Sequence, residues 1–227
     1  MSAKLVVKEA LTRIGAALPP RVIYDINGAL NYLDVGRWAL DHGYSQIARF
    51  SRREQLFEVA ARELSGARVL YLEFGVAGGA SLRTWSRLLR DPASHLHGFD
   101  SFVGLPTDWI LNRPAGWFST GGEPPQVDDP RVRFFAGWFE DTLPTYQFPD
   151  YDRLVVNMDA DLYSSTAAVL QFLRDRITPG TFLYFDEFNH RADERRAFDE
   201  LLASTSMEFR LVGATRGLAQ VMFERVG

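Results

Sequence analysis

At 227 residues the chain has room for one large α/β domain or two small ones, and 46% hydrophobic with 24% charged residues suits a protein that buries a core. A net charge of −4 speaks against a nucleic-acid partner, which calls for a basic stripe, and the lack of cysteine excludes disulfides and thiolate metal sites. No apolar run approaches the roughly 18–20 residues of a membrane span, and Met1-Ser-Ala-Lys4 opens no signal peptide, so a cytoplasmic protein without membrane contact is expected.

Residues 1–65 read as a helical N-terminal extension, serving as packing, a lid or a dimer contact. Pro19-Pro20 breaks an early segment; a helix over Asn31–Leu40 ends near Gly43. Ser51-Arg-Arg-Glu54 has the spacing of a capping box, and Leu56, Phe57, Val59, Ala60 and Leu64 follow at helical intervals up to Gly66. Residues 66–227 hold the rest, and the whole is effectively one domain.

From Val69 the pattern alternates between strand and helix. Strands are predicted at Val69–Phe74, His95–Asp100, Val132–Ala136, Leu154–Asp159, Thr181–Phe185, Phe209–Gly213 and Ala219–Arg225, and helices at Ser81–Arg90, Ser165–Arg176 and Ala192–Ser204. Such alternation argues an α/β fold: a mostly parallel seven-stranded sheet with helices on both faces. Only Ala214–Leu218 separates the last two strands, so they should close the sheet's edge as an antiparallel hairpin, as in the Rossmann-like sheet of S-adenosylmethionine enzymes. Asp108–Pro130, with Trp109, Trp117 and Phe118, is a long loop of the kind that covers an active site.

Tyr71-Leu-Glu-Phe-Gly-Val-Ala-Gly-Gly-Ala-Ser81 is a strand that breaks at glycines and restarts as a helix, which aims backbone N–H groups at a ligand. A dinucleotide fingerprint needs glycine at the first, third and sixth positions, and here Gly75 is followed by Ala77 and Ala80 at the last two. What fits is an acid, Glu73, ahead of Gly75 and Gly78, with a second acid, Asp100, ending the next strand. Two carboxylates at neighbouring strand ends suit a ligand with an ammonium and a ribose diol but no pyrophosphate, which describes S-adenosylmethionine.

A second constellation, Asn157-Met-Asp159-Ala-Asp161-Leu-Tyr163, ends the fourth strand, and Asp186-Glu187-Phe-Asn-His190 ends the fifth. Adjacent carboxylates repel one another unless a cation or proton intervenes, and oxygen ligands without cysteine favour Mg²⁺ or a similar divalent ion. His190 can serve as base or substrate contact or remain structural; His95 and His97 read as packing. Tyr163, Trp109, Trp117 and Trp138 can stack on sugar faces or pack in the core.

Asp100-Ser-Phe-Val-Gly-Leu-Pro106, Gly137-Trp-Phe-Glu-Asp-Thr-Leu-Pro144, Asp159-Ala-Asp-Leu-Tyr-Ser-Ser-Thr166 and Pro179-Gly-Thr-Phe-Leu-Tyr-Phe-Asp186 together resemble the macrocin O-methyltransferase family, over roughly Ser51 to Gly227. Enzymes of that family methylate sugar hydroxyls in macrolide and aminocoumarin antibiotics, with relatives acting on mycobacterial methylmannose polysaccharides. The resemblance implies a class I, S-adenosylmethionine- and Mg²⁺-dependent sugar O-methyltransferase, usually a homodimer. It implies that Glu73, Gly75, Gly78 and Ser81 hold the methionine end, that Asp100 takes the ribose, and that Ser101 and Gly137-Trp138 flank the adenine. By the same resemblance Asp159, Asp186 and Glu187 bind the metal, and Asp161 is the base. The family often has Asp-Asp where this chain has Asp186-Glu187, which weakens the third ligand, and the chain looks compact beside antibiotic-tailoring relatives. Two alternatives stay open: a phenol or catechol acceptor, and a cofactor- or nucleotide-sugar-binding protein without methyl transfer.

Overall fold

The computed structural model describes residues 2–227. Helix α1 (Ala3–Ala17) ends before Pro19, and α2 (Pro20–Asp41) takes Pro20 as its first residue, where a missing N–H costs nothing. The α2 helix is longer than the predicted Asn31–Leu40, running through Gly28 and Gly36. Gly43, at φ 77°, ends it, with the Tyr44 N–H closing back on the Ala39 carbonyl. A short strand, β1 (Arg49–Phe50), precedes α3 (Arg53–Glu63). The box that opens α3 is shifted by one residue from the predicted Ser51/Glu54 pair: Gln55 Oε1 accepts the N–H groups of Ser51 and Arg52.

The alternating part follows as β2 (Val69–Phe74), α4 (Ala80–Leu88), β3 (His95–Asp100), β4 (Val132–Ala136), α5 (Phe139–Thr142), β5 (Arg153–Met158), α6 (Tyr163–Leu173), β6 (Phe182–Phe185), α7 (Glu194–Ser204), β7 (Phe209–Thr215) and β8 (Val221–Arg225). The sheet has eight strands among the described residues, not seven, in the order β1-β7-β8-β6-β5-β2-β3-β4. All neighbours run parallel except β8, which lies antiparallel between β6 and β7. The added strand β1 pairs with β7 and takes the edge beyond the hairpin. Two residues are too few to show alternation, so sequence periodicity could not reveal it.

Each face of the sheet carries its own apolar layer, because side chains along a strand alternate between faces. Leu70, Leu72 and Phe74 of β2 pack with α2, α6 and α7 on one face, while Val69 and Tyr71 pack with α3 and α4 on the other. Thus α3 belongs to the sheet's own core, through Leu56, Phe57 and Ala60, whereas α1 buries no residue at all. Trp38 and Asp34 tie α2 to α7, by a 2.8 Å bond from Trp38 Nε1 to Asp199 and by the Arg195–Asp34 ion pair.

His97 is buried in β3, where its Nδ1 shares a 2.6 Å hydrogen bond with the Tyr146 hydroxyl. Burial pushes its pKa down to about 4, so the fold holds it neutral. The unfolded chain takes up this proton near pH 6.5, so the stabilisation is present above that value and lost as pH falls towards 4. Between pH 7 and pH 5 the protein should lose about 2 kcal/mol through this residue. Thermal melts of the wild type and His97→Gln at both pH values check it: the variant should show a smaller pH-dependent loss.

Candidate active site

Strands β2, β5 and β6 are parallel neighbours, so Glu73, Asp159 and Asp186 come to one rim of the sheet, at the carboxyl ends where open α/β sheets bind ligands. A cavity of about 1060 Å³ opens there. Glu73, Gly75, Gly78, Ser81, Asp100, Ser101, Gly137, Trp138, Asp159, Asp161, Asp186 and Glu187 all line it. Tyr163 and His190 do not. The Tyr163 hydroxyl donates to Glu200 at 2.6 Å and the Arg196 guanidinium covers its ring, so it packs against α7 instead of facing an acceptor. His190 stands beside Asp193 and Trp109, outside the cavity lining.

On the cofactor side, Glu73 is buried and accepts a 2.7 Å hydrogen bond from the Tyr71 hydroxyl, which in turn accepts from Asn157 Nδ2. Burial pushes the Glu73 pKa up to about 8, opposed by the Tyr71 bond and by Arg53. Asp100 fastens the glycine turn: one oxygen accepts the N–H groups of Val76 and Ala77, each at 2.8 Å, and the other accepts that of Phe102. Gly75, at φ 88°, is required for a reason the sequence did not suggest. A Cβ there would fall 1.8 Å from the Asp159 carbonyl oxygen, so the glycine lets two backbones meet, not a ligand. Gly78 has open space around it. The loop after β3 folds over the cavity, with Ser101, Gly104, Leu105 and Phe118 in its wall.

On the acid side, Asp159, Asp161 and Glu187 offer oxygens that lie within 4.8 Å of one another. Asp186 turns aside: it accepts from the Tyr184 hydroxyl and, at 3.0 Å, from Arg53 Nη1, which also reaches Asp159 at 3.4 Å. Burial first and neighbouring acids second push the carboxyls of Asp159, Asp161 and Glu187 up, Asp161 to about 7 and Glu187 to about 12. Asp161 sits at φ 59°, an unusual backbone for a residue with a Cβ and a sign of stored strain. Glu187 Oε2 is buried without a partner among the described residues. An all-carboxylate set with an orphaned buried oxygen fits a hard divalent cation.

Sequence reasoning missed Arg53, Tyr71, Asn157, Tyr184 and Glu194, whose carboxylate accepts the Glu187 N–H at 3.0 Å. Tyr71, Asn157 and Tyr184 did leave a signal: each is a polar residue in an apolar strand, two positions before an acid on the same face. Gly75→Ala should lower the melting temperature by at least roughly 4 °C, from the left-handed backbone alone and more from the clash, while Gly78→Ala should be near neutral. Parallel thermal melts of the two variants decide it.

Residues 124–212 match the family model described as macrocin O-methyltransferase. The chain is 38% identical over 99 residues to a mycinamicin III 3''-O-methyltransferase of Micromonospora griseorubida, covering 43% of this chain and 35% of that protein. It is 32% identical over 137 residues to an 8-demethyl-8-(2,3-dimethoxy-alpha-L-rhamnosyl)-tetracenomycin-C 4'-O-methyltransferase of Streptomyces olivaceus, covering 52% of each. The chain therefore spans about half or less of the length of the curated relatives it matches. The structure of the O-methyltransferase NovP superposes with a TM-score of 0.60 at 25% identity, over 77% of this chain and 80% of that one. The resemblance read from the motifs is thus matched by the family model over residues 124–212, and the mostly parallel sheet is like that of the O-methyltransferase NovP.

Proposed function

We propose that the protein is a metal-dependent O-methyltransferase that moves a methyl group from S-adenosylmethionine to a sugar hydroxyl. The observation that carries this reading is the shared cavity: the glycine turn with Glu73 and Asp100 forms one wall, and Asp159, Asp161 and Glu187 form another. Support for a sugar acceptor comes from the relatives, one of which is named for a substrate bearing a rhamnosyl group.

In this reading Glu73 takes the donor's ammonium, Gly75, Gly78 and Ser81 line its methionine end, Asp100 takes the ribose, and Ser101 with Gly137-Trp138 bounds the adenine. Asp159, Glu187 and, by its place at the end of β6, Asp186 would hold the ion. When bound, S-adenosylmethionine supplies an electrophilic methyl group, and a divalent ion supplies positive charge that acidifies the acceptor hydroxyl. Asp161 accepts the proton of that hydroxyl as general base while the oxygen takes the methyl and the C–S electron pair stays on sulfur. A base with a pKa near the working pH is suited to this, and such a step is worth about 10²–10⁴-fold. Fixing oxygen and methyl in line contributes more, since effective molarities reach about 10⁵–10⁸ M.

The test is a methyl-transfer assay over a panel of saccharides and catechols, with and without Mg²⁺. Turnover of S-adenosylmethionine on a methylmannoside or related glycoside, stimulated by Mg²⁺ and absent on catechols, is the expected result; turnover on catechols alone would move the acceptor to the phenol class. Asp161→Asn should abolish transfer and leave donor affinity by calorimetry nearly unchanged. Retained activity in that variant removes Asp161 as the base.

We infer further that two copies associate through α1 and α2. Eleven of the sixteen large apolar side chains that stand exposed among the described residues lie on these two helices, and Ile26, Leu30, Leu33 and Leu40 of α2 recur at coiled-coil spacing. A second copy presents the same stripe, so the contact is self-complementary. Sedimentation should give a dimer for the wild type and a monomer for Leu33→Glu with Ile26→Glu; a monomeric wild type at micromolar concentration refutes it.

A further inference from the structure

The cavity wall is strongly one-sided in charge. Seven carboxylate side chains line it, and Arg53, the first residue of α3, is the one basic side chain among the described residues that does so. Its guanidinium is only half engaged. Nη1 donates to Asp186 and Asp159, while Nε and Nη2 form no hydrogen bond among the described residues, Nε lying 3.9 Å from Glu54. Asp186 is itself held by the Tyr184 hydroxyl, and Arg53 is 28% exposed, so the fork is fixed from behind and open to the cavity. Arg53 also reaches Asp159 at the end of β5, the strand beside β2 that carries Glu73, and the Arg53 and Glu73 side chains line the same cavity.

A donor with an α-amino acid end brings both an ammonium and a carboxylate to the cavity. Glu73 answers the first; every other charged group in the wall repels the second. We propose that Arg53 binds the carboxylate of the donor's amino-acid end through its free N–H groups, completing with Glu73 a clamp for the zwitterion. The proposal rests on the reading of the cavity as an S-adenosylmethionine site and adds a residue to it. A guanidinium matches a carboxylate through two parallel hydrogen bonds, which a lysine cannot reproduce. The role explains why a cation is built into a wall that otherwise collects acids, and why it comes from outside the glycine turn.

Binding by calorimetry, without added divalent ion, separates the possibilities through three ligands: S-adenosylmethionine, its decarboxylated form, and 5'-methylthioadenosine, which lacks the whole amino-acid end. Arg53→Gln should weaken S-adenosylmethionine by between about 10- and 100-fold and leave the other two unchanged, so that the preference for the carboxylated ligand collapses. Arg53→Lys, which keeps the charge and guards against loss of folding, should lose part of that preference. An equal loss for all three ligands, or none for S-adenosylmethionine, overturns the proposal and leaves Arg53 as a counter-charge to Asp159 and Asp186. A wild type that binds none of the three sinks the donor-site reading itself, which is a different result.

Discussion

Charge gathered at the carboxyl rim of the central strands is the constraint on which the site depends. Glu73, Asp159 and Asp186 arrive there because β2, β5 and β6 are parallel neighbours, and Asp161, Glu187 and Glu194 crowd in behind them. Burial makes each negative charge expensive, and proximity makes the second worse than the first. The protein meets this with hydroxyl donors from Tyr71 and Tyr184, with one guanidinium, and with a Glu187 carboxyl kept protonated. Glu187 Oε2 and Glu194 Oε1 remain without a partner among the described residues, and an all-carboxylate set of this kind fits a hard cation.

The same rim joins the two halves of the site mechanically. Gly75 leaves β2 at a point where its backbone touches the Asp159 carbonyl at the end of β5, so the glycine turn and the acid cluster cannot move independently. Asp100 pins the far side of that turn through the N–H groups of Val76 and Ala77 and ties it to the loop after β3 through that of Phe102. A methyl donor on one wall and an acceptor on the other would therefore be held by a single rigid seam. That is the arrangement an in-line transfer needs.

Strand and helix placement was legible from sequence with little error. Val69–Phe74, His95–Asp100 and Val132–Ala136 are observed at their predicted limits; β2, buried along its whole length, shows the apolar run expected of a strand covered on both faces. The failures have physical causes. β1 is two residues long and exists only because β7 offers it an edge. Helix α2 runs through two glycines that local propensity would count against it, yet Val35, Trp38 and Ala39 are buried against the sheet's outer layer and carry it. Tyr163 looked like a ligand contact because it follows the acids in sequence, but the first turn of α6 rotates it towards α7.

The sequence by itself determined the fold class, the family resemblance over its most distinctive stretch, and which acids end which strands, since these are properties of local pattern and of order along the chain. Only the tertiary structure decided how those acids are answered. Arg53 comes from a helix twenty residues before Glu73 and reaches Asp159 and Asp186 more than a hundred residues ahead, across elements whose packing no local signal encodes. The arrangement of the four neighbouring acids, with Asp186 held by Arg53 and Tyr184 and with Asp159, Asp161 and Glu187 facing one another, comes from such contacts. Electrostatic pairing depends on distance in space, and distance in space is what the folded sheet supplies.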